Sequence, residues 1–259
     1  MDSFSGKDGR IAYIAEGEGE PVLLIHGFAS NARTNWRDTG WMRFLGGHGF
    51  RAIALDNRGH GASGKFYDPE SYTGAAMAED ALRLLDHLEI AKADVIGYSM
   101  GARIAAVLAL AHPERVRSVV LGGLGANMIH GVGDPAPIAA ALLADDVSNV
   151  TNTHARAFRV FADQTKSDRR ALAACIMATR DRIPAQQLGA AKVPVDLGTL
   201  KVPVLVAVGT EDALAGPARP LADSIPGAAA LDIPGRDHMK AVGDRVFKEG
   251  VLEFLKRRP

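Results

Sequence analysis

The sequence predicts an α/β fold: a mostly parallel sheet with helices on both faces and a small helical cap inserted late in the chain. Three observations predict it. Short, continuously apolar, often β-branched runs alternate with longer helical patterns, as expected of strands covered on both faces and joined by crossover helices. Between about residues 126 and 200 the strand signal vanishes and only helical patterns remain. The chain has 259 residues, 47% of them hydrophobic and 23% charged, which is long and apolar enough to bury the core such a sheet needs.

In chain order, Lys7-Asp8-Gly9 followed by IAYIAEG at 11–17 reads as a hairpin at the sheet edge. PVLLIHGF (21–28), FRAIALDN (50–57), ADVIGY (93–98), VRSVVLGG (116–123), VPVLVAVG (202–209) and AAALDIPG (228–235) read as strands. Helical patterns run from Trp36 to His48 and from Ser71 to Leu88. The second places Met77, Ala81, Leu84, Leu85 and Leu88 on one face. Two more run from Met100 to His112, stopped by Pro113, and from Arg245 to Lys256. Within the strandless region, PIAAALLADD, THARAFRVFADQ and DRRALAACIMATR read as short helices. The expected organisation is a core of residues 1–125 and 201–259 with a helical cap of residues 126–200. From Thr151 to Ile183 the cap carries seven basic residues (Arg156, Arg159, Lys166, Arg169, Arg170, Arg180, Arg182) against three acidic ones (Asp163, Asp168, Asp181). A solvated helix face accounts for that excess; attraction of an acidic substrate is the alternative.

Thirty basic and thirty acidic residues cancel, so neither nucleic acid nor an anionic membrane is an expected partner. No apolar stretch reaches the roughly 20 residues that span a bilayer. MDSFSGKDGR lacks a basic segment followed by an apolar one, so a cytoplasmic location is expected. The single cysteine, Cys175, lies in an apolar helical run and reads as a buried thiol in a reducing compartment. Zinc-site spacing is absent. The sequence carries no signature of oligomeric state.

Chemistry concentrates in GYSMG at 97–101, which follows an apolar strand and precedes a small-residue helix. That context is a nucleophile elbow: a strained turn that lifts a serine, here Ser99, to the top of the sheet. The glycines admit the turn and its close neighbours, and the following helix directs free N–H groups at the reaction centre. A serine hydroxyl needs a base. Of eight histidines, His238 lies just after the last strand, on the same sheet edge as Ser99, whereas His26 in HGF reads as scaffolding. The base needs an acid to hold its tautomer. Asp212 follows the preceding strand directly, and the order Ser99, Asp212, His238 suits this architecture. Glu211 and Asp237 compete: the first is one residue off the expected place, the second adjoins the histidine it would have to face. GHGASGK at 59–65 nearly spells a phosphate-binding loop, but Phe66 stands where a hydroxyl is required.

With HGF at 26–28, DNRGHGAS at 56–63, GYSMG at 97–101, GTED at 209–212 and GRDH at 235–238, the chain resembles the α/β-hydrolase fold superfamily over nearly its full length. The resemblance implies an eight-stranded, mostly parallel sheet with a cap after the sixth strand. It also implies an oxyanion hole formed by the backbone N–H groups of Phe28 and Met100. Two departures stand out. Ala102 replaces a frequent second glycine after the elbow, and Asp237 puts a charge beside the base. Ser99 separates the chain from the epoxide hydrolases and haloalkane dehalogenases that resemble it, which carry aspartate there. The expected activity is serine hydrolysis of a small carboxylic ester or related acyl compound through an acyl-enzyme, with no cofactor or metal. The alternatives are a cofactor-free haloperoxidase or perhydrolase, and a ligand receptor using the same pocket.

Overall fold

A computed structural model describes residues 1–6, 8–127, 133–179 and 196–258. Its centre is an eight-stranded sheet in the order β1-β2-β4-β3-β5-β6-β7-β8. The strands are β1 (Asp2–Ser5), β2 (Arg10–Glu16), β3 (Glu20–Ile25), β4 (Phe50–Leu55), β5 (Ala93–Tyr98), β6 (Val116–Gly122), β7 (Val204–Gly209) and β8 (Ala229–Ile233). β1 pairs antiparallel with β2, and β2 antiparallel with β4; every other pairing is parallel. The edge hairpin expected from the N-terminal pattern is therefore present, with Lys7 outside the described residues.

The period of two along each strand splits the apolar side chains between two helical layers. Leu23 and Ile25 of β3 face one layer, with α2 (Gly74–His87), α3 (Met100–Ala111) and α7 (Ala218–Asp223). Val22 and Leu24 face the other, with α1 (Trp41–Gly46) and α9 (Arg245–Arg257). α2 starts later than the expected Ser71, because Thr73 caps it by accepting the Ala76 N–H while a separate turn covers Pro69–Tyr72. The helix expected from Trp36 to His48 is two pieces, a turn over Arg33–Arg37 and then α1. Gly40 between them has φ +81°, a left-handed conformation that no helix continues through.

Between β6 and β7 the described residues hold α4 (Ala136–Leu143), α5 (Thr153–Gln164) and α6 (Arg169–Met177), and no strand. These helices share a small apolar cluster containing Ile138, Leu142, Ala155, Ala162 and Leu172, which reaches the main body through Phe28 and Ala29. The Thr165 hydroxyl donates to the Ala29 carbonyl at 2.8 Å. Part of the basic excess here is spent on the fold itself. Arg159 is buried, pairs with Asp163 at 2.9 Å and donates to the carbonyls of Ala141 and Ala144 at the end of α4. Arg170 lies over the Tyr67 ring at 4.8 Å. Arg180, Asp181 and Arg182 lie outside the described residues. No helix among the described residues is long and apolar enough to cross a membrane.

Candidate active site

Ser99 is the single residue between β5 and α3, with φ 56° and ψ −115°. A non-glycine residue there stores on the order of 1–3 kcal/mol of strain, which its neighbours must hold. They do so through close backbone packing. A Cβ on Gly101 would sit 2.0 Å from the Ile25 carbonyl oxygen, and one on Gly97 would sit 2.2 Å from the Gly101 carbonyl oxygen. Neither position admits any other residue without moving backbone. The Ser99 N–H donates to the Gly122 carbonyl at 2.8 Å, which ties the turn to β6.

Three side chains remote in sequence meet at this turn. His238, the first residue of α8 (His238–Ala241), places Nε2 3.1 Å from Ser99 Oγ and Nδ1 2.7 Å from Asp212 Oδ2. The Asp212 side chain is fully buried, and its second oxygen accepts the Ala215 N–H at 2.9 Å. A carboxylate at Nδ1 holds the proton there and leaves Nε2 free to accept from the serine hydroxyl. The Tyr98 hydroxyl donates to the His238 carbonyl at 2.6 Å. Burial pushes that phenol's pKa up, so Tyr98 remains a donor. The two rival acids face elsewhere. Glu211 is exposed. Asp237 caps α8 by accepting the N–H groups of Met239 and Lys240, and the Lys240 N–H in particular holds its pKa below the usual range.

Phe28 and Met100 line the same cavity as Ser99. Met100 opens α3, where the first N–H groups have no intrahelical acceptor. Phe28 follows β3 in a loop packed against the serine: a Cβ on Gly27 would lie 3.2 Å from Ser99 Cβ. The Phe28 ring stands edge-on between His60 and Phe158. Both residues, with Ser99 and His238, line a cavity of about 110 Å³ that the α4–α6 segment roofs with Ile138, Phe158 and Cys175. Cys175 is buried, as expected, and its sulfur lies 3.9 Å from the Met100 sulfur. Sequence reasoning passed over Arg103 and His154, which also line this cavity. Arg103 carries a readable signal, since it lies four residues after the serine on the same helix. Among the described residues no cluster of His, Cys, Asp and Glu is arranged to hold a metal ion.

The DNRGHGAS stretch is a buried polar knot that fixes the Phe28 loop. Asp56 accepts the N–H groups of Ala32 and Ala62, each at 2.7 Å. Arg58 is clamped by both oxygens of Asp80, at 2.6 and 2.9 Å. Lys65, the lysine of the near-phosphate-loop, donates to the carbonyls of His60, Gly61 and Ser63 and so closes its own turn. His26 Nε2 accepts the Asn57 N–H at 3.0 Å, and its ring meets that of His60 at 5.2 Å.

Burial disfavours the charged form of both histidines, lowering His26 to about 4 and His60 to about 3. In the unfolded chain each titrates near 6.5, so the unfolded state binds more protons between that pH and the folded values. The stability contributed by the two neutral rings is present above pH 6.5, falls as pH drops toward 4, and is lost below the folded pKa values. The free energy of urea unfolding is expected to drop by about 2–3 kcal/mol per histidine between pH 7 and pH 4.5. A value unchanged across that range would contradict the neutral buried pair.

A model of the family described as alpha/beta hydrolase fold matches residues 20–239. A 2-hydroxymuconate semialdehyde hydrolase of Pseudomonas putida is 40% identical over 127 residues, 49% of this chain and 42% of that protein. The chain spans about two-fifths of the length of the curated relatives it matches. Among solved structures, a hydrolase from Pseudomonas aeruginosa PA01 superposes with a TM-score of 0.78 at 27% identity, covering 98% of this chain and 97% of that one. A bromoperoxidase from Bacillus anthracis shares the fold, with a TM-score of 0.76 at 22% identity and 96% of each chain covered.

Proposed function

The chain belongs to the α/β-hydrolase family, and from that premise we propose that it is a serine hydrolase of small carboxylic esters or related acyl compounds. The observation that carries this reading is the unbroken line from Asp212 through His238 to Ser99, over 2.7 and 3.1 Å, at the wall of a largely apolar cavity. Ser99 Oγ attacks the acyl carbon while His238 Nε2 takes its proton. The resulting oxyanion sits between the N–H groups of Phe28 and Met100, where loss of one such donor typically costs about 10²–10³ in rate. The tetrahedral adduct collapses, His238 returns the proton to the departing alkoxide, and an acyl-Ser99 ester remains. Water, deprotonated by His238, repeats the sequence and frees the carboxylic acid and the serine. Asp212 keeps the imidazole in the required tautomer and stabilises its protonated form.

The α4–α6 segment acts as the cap expected of the insertion at 126–200, its described residues Ile138, Phe158 and Cys175 covering the cavity and shaping the acyl pocket. The protein's partner is then its small-molecule substrate. The same acyl-enzyme, intercepted by hydrogen peroxide instead of water, would release a peracid, so the test must separate the two. A panel of 4-nitrophenyl esters should be cleaved in buffer alone, with rates that do not depend on peroxide. Peroxide- and bromide-dependent bromination of a dye in acetate, without cleavage of any ester, would reassign the protein as a perhydrolase. Tight ligand binding with neither activity would reassign it as a receptor.

A further inference from the structure

We propose that Tyr98 is a positioning residue for the base: its hydroxyl, bonded to the His238 carbonyl, sets how far the imidazole stands from Ser99. The proposal rests on the serine hydrolase reading and deepens it by naming a residue that acts through His238 rather than on the substrate. The nucleophile is held stiffly by the close backbone packing of its turn. The base has a looser setting. It follows Pro234, Gly235 and Arg236 and precedes Met239 and Lys240, all of them exposed. Asp212 orients the ring through Nδ1, but a bond at one ring nitrogen does not fix the main chain that carries the ring.

Tyr98 supplies that constraint. It is the last residue of β5, directly before Ser99, and it is 4% exposed. Its hydroxyl donates to the His238 carbonyl at 2.6 Å, and its ring lies 5.4 Å from the imidazole. One residue thus joins nucleophile and base, by a peptide bond on one side and a short hydrogen bond on the other. The phenol is itself seated. A Cβ on Gly123 would lie 2.6 Å from its ring and one on Gly122 3.0 Å, so the chain at the end of β6 is cut back to house it. Phe247 of α9 packs on it at 6.2 Å. The spacing matters because a base takes a proton only within about 2.6–3.2 Å, and His238 Nε2 stands 3.1 Å from Ser99 Oγ, near the outer end of that reach. A misplacement of about 1 Å costs on the order of 10²-fold in rate.

The test is Tyr98→Phe, which keeps the ring in its seat and removes only the hydroxyl. Its kcat for 4-nitrophenyl acetate should fall by about tenfold to a hundredfold with KM little changed. Ser118→Ala is the control. It removes another buried hydroxyl, bonded to Asp94 at 2.6 Å and outside the cavity lining, and should lose comparable stability to urea with kcat unchanged. An equal loss of kcat in Ser118→Ala overturns the positioning role, because the effect then follows stability. A second arm needs no turnover: crystal structures of the wild type and Tyr98→Phe. In the variant, His238 Nε2 should lie beyond hydrogen-bond reach of Ser99 Oγ or occupy two positions. If the imidazole moves in this way and the wild type cleaves no ester, the hydrolase reading falls alone. An imidazole in one unchanged position overturns the positioning role whatever the rates, as does an unchanged kcat in an active enzyme.

Discussion

Replacing Ser99 with alanine is expected to lower kcat for 4-nitrophenyl acetate by about 10⁵-fold or more, leaving the residual rate that binding and the oxyanion donors supply. The size of the loss follows from what the alanine removes. Without Oγ no acyl-enzyme forms, and His238 can only direct water at a carbonyl placed for a different nucleophile. The fold should survive, because Ser99 Oγ contributes no bond to the turn that holds it. The turn is kept by the Ser99 backbone N–H, which donates to the Gly122 carbonyl, and by the close packing at Gly97 and Gly101. Binding of a non-cleaved ligand should therefore be retained while turnover is lost. A loss of less than tenfold, measured on protein free of wild-type contamination, would place the nucleophile elsewhere.

Asp212→Asn is expected to cost about 10⁴-fold in kcat with KM little changed. The substitution preserves shape, and the Ala215 N–H still has an oxygen to bond. An amide N–H facing His238 Nδ1, however, turns that nitrogen into an acceptor and moves the ring proton to Nε2. The imidazole then presents a donor to Ser99 Oγ and cannot take its proton. Steady-state kinetics across a pH series would read this as a fall in kcat. If Asp212→Asn were nearly silent and Glu211→Gln or Asp237→Asn were severe, the acid would have been misassigned.

The fold and the three central side chains were legible because each motif's chemistry is local. GYSMG states its own requirement: Gly97 and Gly101 stand where any side chain would meet backbone, and Ser99 where φ is positive. Asp212 and His238 each lie directly after a strand, so strand recognition alone put them on the correct sheet edge. The choice among neighbouring acids was harder, since Glu211, Asp212 and Asp237 differ in direction rather than in type. Only coordinates show that Asp237 turns to cap α8 while Asp212 is buried against His238.

What escaped the sequence depends on packing between segments. Gly40 split an otherwise plausible helix because its φ of +81° is left-handed, and the run of residues around it does not state which glycine takes that conformation. The basic residues of the α4–α6 segment looked alike as a string, yet Arg159 is buried holding the end of α4 and Arg170 stacks on Tyr67. Arg103 was read only as part of a small-residue helix, because the cavity it lines exists only once the segment after β6 covers α3.

The central claim is that Ser99 forms a covalent bond during turnover. Labelling the folded protein with a fluorophosphonate, followed by proteolysis and peptide mass mapping, tests this most directly. The account predicts a single phosphonylated peptide with the modification on Ser99, formed in step with loss of esterase activity and blocked by saturating ester. An adduct on another residue, or full inhibition with Ser99 unmodified, would contradict it.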